Sequence, residues 1–316
     1  MSLQVVQPGL MSLLQDGGRY GQQRIGLTTG GPLDPEAFAL CNRLLGNDAT
    51  ATAVEVSFGG LVLTATVDTR ICVTGAALPL RINGKEQARW CVHRVGAGDE
   101  IAVDFLTAGT AAGCRAYLGV AGGFSVAPQF GSSSTVVREH IGGLKGEKLQ
   151  PGDTLPCAAS SGGPLRRLPE ALRPVYGNSV VLRVIPGYQQ AHFSPLQQRR
   201  FYSSEYTVSE RCDRMGYRLE GTAIACDIEG ILSEGICFGA IQIPADGQPI
   251  VLLNDRQTIG GYPKIGAALS LDVARLVQLT PGATVRFEAV SRDAAHNALH
   301  LAAHRLRTLP LAEFSL

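Results

Sequence analysis

Short apolar runs broken by glycine- and asparagine-rich turns dominate this chain. The segment LPLRINGKEQARWCVH, from Leu78, reads as a hairpin. Its Asn83-Gly84 dipeptide supplies the two positive φ angles of a type I′ turn. TRICVTGA, DEIAVDF and CRAYLGVAG around it are short and rich in β-branched or apolar residues, as strands are. A turn-then-strand unit recurs in GAGDEIAV from Gly96, QPGDTLP from Gln150 and TPGATVRFEAV from Thr280. Such recurrence predicts closed or sandwiched antiparallel sheet in place of alternating βαβ units.

Helical periodicity is sparse. The clearest case is LDPEAFALCNRLLGND: Asp34 is placed to cap, Pro35 takes the first helical position and Glu36 suits the positive end of the dipole. Phe38, Leu40, Cys41, Leu44 and Leu45 form its apolar side, and Gly46 or Asn47 ends it. Further helices are predicted over Leu271 to Gln278 and Arg292 to Leu306. The stretch Ala158 to Asn178 is rich in Ser, Gly, Pro and Arg without a sustained period, and reads as a linker. The expected chain is therefore mainly β, with two β-barrel-like domains over residues 1–165 and 166–316 and a few short helices.

Composition narrows the partners. With 45% hydrophobic and 17% charged residues the chain has an ordinary soluble make-up, and Gly 38 and Pro 17 make it turn-rich. A net charge of +1 gives no electrostatic case for nucleic acid or an anionic membrane. No apolar run approaches the ~20 residues of a membrane span. The N-terminus lacks a basic start followed by an apolar stretch, so the expected compartment is the cytoplasm. The 8 cysteines lie at least 11 positions apart, which excludes CxxC and zinc-knuckle spacing.

The familiar phosphate cradles are missing. IGGLKGEKLQPGD has the wrong spacing for a P-loop and precedes a strand, and no GxGxxG stands at a strand-to-helix turn. No GxSxG occurs, and the hydroxyls of FGSSSTVVREH suit turn backbone groups as well as nucleophilic attack. His296, His300 and His304 recur at helical spacing; two such histidines can share a metal, or the three can form a polar face opposite an Ala and Leu stripe. No carboxylate completes an HExxH pattern, and no metal is assigned.

The run IQIPADGQPIVLLNDRQTIGGYPKIG, Ile241 to Gly266, concentrates polar chemistry between apolar strands. Asp255 and Lys264 are candidates for acid–base work or for clamping a planar amide or carboxylate. Gln242, Gln248, Arg256, Gln257 and Tyr262 are candidate substrate contacts. SERCDRMGYRLEG adds Arg214 and Arg218, whose planar forks suit carboxylates. Gly30 and Gly31 could let an anionic ligand approach the first helix, or merely set its entry turn. For the first group the alternative is a structural turn with a surface Asp–Arg or Asp–Lys pair, and for the second a solvated strand edge with alternating charge.

Four segments, QDGGRYG…GGPLDPEAFALCNRLLGN, RAYLGVAGGFSVAPQFGSSST, CDRMGYRLEG and GAIQIPADGQPIVLLNDRQTIGGYPKIG, resemble in order and spacing the biotin-dependent carboxyltransferase, or allophanate hydrolase subunit 2, family. This is the family of KipA and of the PxpC-type component of 5-oxoprolinase. The resemblance runs from about Val6 to about Val290. It implies a cyclophilin-like C-terminal half, a small KipI- or PxpB-like partner and a PxpA-like lactam-utilisation protein. It also implies an ATP-dependent hydrolase complex opening 5-oxoproline to glutamate, with no cofactor bound by this chain alone. Two other roles fit the same resemblance: a KipA-type regulator that antagonises its small partner, and a carboxyltransferase-like subunit of a urea carboxylase-type system.

Asp255, Arg256, Gln257, Tyr262 and Lys264 fall on the family pattern, as do Arg214 to Arg218. Cys212 stands where Ser or Asn is more usual, and Gly30 where Ser often precedes Gly-Pro. No Met-Lys pair is present, so any biotin would arrive on another protein. The expected catalytic groups are Lys264 and Arg214 for charge at an oxyanion and Asp255 for water or a proton.

Overall fold

The computed structural model describes residues 1–106, 113–228 and 230–314. The chain divides into two compact units. One comprises residues 1–20, 30–176 and 308–316, the other residues 21–29 and 177–307.

In the first unit the strands form a six-stranded and a five-stranded sheet. Leu3, Leu61, Leu63, Ile101 and Val103 from the first sheet and Val54, Val56, Ile71, Val73 and Leu118 from the second join one buried cluster. That is the mixed core of a β-sandwich, in which inward residues of both sheets interdigitate. The predicted hairpin is present: Ile82 pairs with Lys85, and Asn83 and Gly84 both have positive φ. All three recurring turns lead into strands, Glu100–Val103, Thr154–Pro156 and Thr284–Ala289.

Helix α1, Pro35–Leu45, begins at Asp34, whose carboxylate accepts the Ala37 N–H at 3.1 Å, and ends at Gly46 in the left-handed region. Its buried face carries Phe38, Leu40, Cys41, Leu44 and Leu45, as its periodicity requires. Tyr176 donates its hydroxyl to the same Asp34 at 2.8 Å. Within the stretch expected as a linker lies the strand Leu165–Arg167, paired with Ala312–Phe314.

The second unit is built on a closed barrel of seven strands. Their order is Ser179–Pro186, Lys264–Ala268, Ala240–Gln242, Ile250–Leu252, Gly216–Gly221, Tyr206–Cys212 and Thr284–Ala289. The last pairs parallel with the first and closes the ring. Alternation is clear in Ser179–Pro186, where Val180, Leu182 and Val184 are buried. Three helices accompany the barrel: α2 (Pro195–Ser203), α3 (Ser270–Leu276) and α4 (Arg292–Thr308). Helix α3 is fixed by a fork in which Arg183 donates to both oxygens of Asp272, at 2.8 and 2.7 Å. Among the described residues, no helix is long and apolar enough to cross a membrane.

Candidate functional site

Where Ala240–Gln242 meets Lys264–Ala268 the register slips. Ala240 lies opposite Ala267 and Ile241 opposite Gly266, but Gln242 lies opposite Lys264. The extra residue is Ile265, taken up as a β-bulge. Bulges bend a strand and re-aim side chains, and they recur beside functional sites. Here the bulge sets a buried amide, Gln242, beside a lysine whose side chain is only 12% exposed.

The Lys264 ammonium is paired with the Glu234 carboxylate. Glu234 stands on the short strand Glu234–Gly235, which pairs with Ile259–Gly260. The same carboxylate oxygen accepts the Gln189 Nε2–H at 2.9 Å. Gln189 sits on the single turn Tyr188–His192, tied to the barrel by the Gly187 N–H donating to the Ile265 carbonyl at 3.0 Å. Gly260 passes so close that a Cβ there would stand 3.1 Å from the Gln242 amide nitrogen and 2.4 Å from Ile236 Cδ1. Gln189, Glu234, Gln242 and Lys264 are thus gathered by backbone pairing and close approach.

The electrostatics follow. The Lys264 hydrogen bond, and then that of Gln189, hold the Glu234 carboxyl below its ordinary pKa. Because the Gln189 nitrogen must face the carboxylate, its Oε1 is directed elsewhere. That oxygen is buried and meets no donor among the described residues. A buried acceptor without a donor is uncommon and calls for one. An ammonium, a carboxylate and two amides can together read an edge bearing C=O and N–H. The ammonium is suited to charge developing on a carbonyl oxygen.

Arg214 and Asp255 form a second group. Arg214 donates from Nε and Nη2 to the two oxygens of Asp255, at 2.9 and 3.1 Å, and both side chains are buried. Backbone bonds reinforce the pair: the Asp255 N–H donates to the Arg214 carbonyl at 2.9 Å. The fork clamps the turn before Gly216–Gly221 to the loop after Ile250–Leu252.

The other candidates are placed as follows. Arg218 pairs with Asp246 at 2.8 Å near the surface, and Gln248 exchanges hydrogen bonds with the Gly221 backbone. Arg256 donates to the carbonyls of Ile236 and Leu253, and burial pulls its guanidinium below its ordinary pKa. Gln257 and Tyr262 are exposed. Gly30 and Gly31 belong to the first unit, both at positive φ, and the Gly31 N–H donates to Gln15. The serines of FGSSST serve Asp16, which accepts from the Ser132 and Ser134 hydroxyls at 2.5 and 2.7 Å.

Lys264 and Gln242 were visible in the sequence as candidates; Glu234 and Gln189 were not. Neither sits in a charged cluster, and their one local signal is a nearby glycine, Gly235 or Gly187, in a loop between apolar strands.

Comparison with known proteins places this chain in a family. Residues 25–289 match the family described as carboxyltransferase domain, subdomain A and B. The chain is 36% identical to the C subunit of 5-oxoprolinase from Escherichia coli strain K12 over 297 residues, covering 93% of each. It is also 36% identical to the protein of that name from Haemophilus influenzae, covering 89% of each. The crystal structure of urea amidolyase from K. lactis superposes with a TM-score of 0.91 at 26% identity, covering 99% of this chain but 20% of that one. With most of its length matched, the chain belongs to the carboxyltransferase-domain family that spans subdomains A and B.

Proposed function

We propose that this chain is one subunit of a complex that opens the cyclic amide 5-oxoproline to glutamate at the expense of ATP. The observation that carries the reading is the 36% identity to the bacterial 5-oxoprolinase component over 93% of both chains. The chemistry at Lys264 supports it. An unstrained lactam resists hydrolysis; transfer of the ATP γ-phosphoryl group to the carbonyl oxygen activates the ring carbon, water adds to it, the C–N bond breaks to leave an acyl phosphate, and a second water releases phosphate to give glutamate. As water adds to the activated carbon, negative charge builds on the oxygen atoms there, and preorganised positive charge beside them is usually the largest single aid to such a step. In this reading Lys264 supplies that charge, the Gln189 carbonyl takes the ring N–H, and Glu234 takes a proton from the attacking water and gives it to the ring nitrogen as the C–N bond breaks. Arg214 and Asp255 hold the neighbouring loops in place. A small KipI- or PxpB-like subunit and a PxpA-like protein complete the complex, which uses ATP.

A second reading is favoured by the TM-score of 0.91 to urea amidolyase: a carboxyltransferase-like subunit that acts on a urea-type amide with carboxyl groups from a biotinylated carrier. One experiment separates the two. The chain is reconstituted with its partner subunits and given ATP with either 5-oxoproline or urea, with and without a biotinylated carrier. Glutamate and ADP in equal amounts support the first reading. Turnover only with a biotinylated carrier supports the second, and partner binding without turnover refutes both. In the active complex Lys264→Ala abolishes turnover while leaving the fold intact; full activity in a folded Lys264→Ala protein removes Lys264 from the mechanism.

A further inference from the structure

Helix α4 follows the matched family region and has two unlike faces. Its buried and half-buried positions are Ala295, Ala298, Ala302 and Leu306, spaced 3, 4 and 4 along the chain. At about 3.6 residues per turn these form one stripe. The opposite face carries Asp293, His296, His300 and His304, again spaced 3, 4 and 4, and all four are exposed. Side chains four apart on a helix are neighbours, with Cβ atoms roughly 5–6 Å apart. Two imidazoles at that spacing converge on one cation without any change of backbone. Among the described residues, no three metal-ligating side chains form a ready-made metal site, so a cation on this face would be held by a pair of neighbouring histidines.

We propose that His296 and His300 form a bidentate surface site for a borderline divalent cation of the Ni²⁺, Cu²⁺ and Zn²⁺ class. Imidazole nitrogen is a preferred ligand for that class, whereas Mg²⁺ and Ca²⁺ take oxygen. Asp293, one turn before His296, adds negative charge on the same face. The helix spacing does the organising, so the backbone needs no change to bring the two rings to one cation.

The test is calorimetric titration of the full chain with NiCl₂ and, separately, ZnCl₂. The wild type binds one equivalent. His296→Gln/His300→Gln leaves a single histidine, His304, on the face and weakens binding by roughly a hundredfold, the loss expected when two linked ligands become one. Cys237→Ser removes an exposed thiol from the same unit and leaves the titration unchanged. Equal affinity in the double-histidine variant and the wild type overturns the proposal. Loss of binding in Cys237→Ser also overturns it, by moving the site to the thiol. Circular dichroism of each variant confirms that the surface substitutions leave the fold in place.

Discussion

Arg214 and Asp255 show how one residue type serves two purposes. Their charges looked catalytic in the sequence, and in the fold they neutralise each other out of water. Removing Arg214 takes the two-pronged charged hydrogen bond from a buried carboxylate, so Arg214→Ala should cost about 3–5 kcal/mol of stability. The paired replacement Arg214→Met/Asp255→Leu should recover most of it, because hydrophobic isosteres often match a buried ion pair. Urea denaturation of both variants measures this, and an undiminished midpoint in Arg214→Ala would show that the fork does not brace the loops. Glu234 behaves differently. Its pKa is depressed by Lys264 and Gln189, so the pairing is complete above the ordinary carboxylate range and is lost as pH falls through the lowered value. It is half exposed, so the effect on stability is small. Carboxyl-resolved NMR should place the Glu234 midpoint below that of a free glutamate and return it towards normal in Lys264→Ala. A midpoint that ignores the substitution would mean that the pair is not formed in solution. Asp16 follows the same sign. Burial alone would raise its pKa, but the hydroxyls of Ser132 and Ser134 and two backbone N–H groups outweigh it and hold the carboxyl below its usual value.

At the scale of elements, legibility tracked local physics. Helix α1 could be read to within a residue because its cap, its first proline and its terminal glycine are all encoded locally. The bulge at Gln242 and Lys264 could not, since register depends on which strand arrives as the neighbour. Helix α2 is not legible in the sequence because PLQQRRFYS has no apolar stripe: Phe201 is its one fully buried residue. Its Ser194 cap and Pro195 were the available clue. What anchors α2 is tertiary. The Phe201 ring stacks on Phe287 with centroids 4.2 Å apart and 21° between planes, beside Tyr206. Phe201→Ala should therefore cost about 3–5 kcal/mol, far more than the weak helix propensity of α2 suggests. A thermal melt shifted by less than a degree would show that the aromatic cluster does not hold the helix.

At the scale of the whole molecule, the mainly β architecture was legible from turn spacing, because each Gly-centred turn and each short apolar run is a local event. How the chain shares itself between its units was not. Residues 21–29 belong with 177–307, and Ala312–Phe314 pairs back to Leu165–Arg167. Such returns carry no local mark, and LRR is too polar to read as a strand. A cut at residue 177 therefore separates neither unit cleanly. Fragment 1–176 lacks the partner of its Leu165–Arg167 edge. It should unfold at lower urea than the corresponding unit of the intact chain, a difference that limited proteolysis across a urea series would resolve.

The parallel pairing of Ser179–Pro186 with Thr284–Ala289 sets a schedule for synthesis. The first strand of the ring leaves the ribosome about a hundred residues before its mate, at ordinary elongation speeds a wait of roughly 5–20 s. Once Ala268 has emerged, two unsatisfied borders, along Ser179–Pro186 and Tyr206–Cys212, still stand open to any passing extended segment. Nascent chains stalled before Thr284 has emerged should be readily digested and prone to clumping. Those stalled once Ala289 has cleared the exit tunnel should acquire protease resistance in a single step.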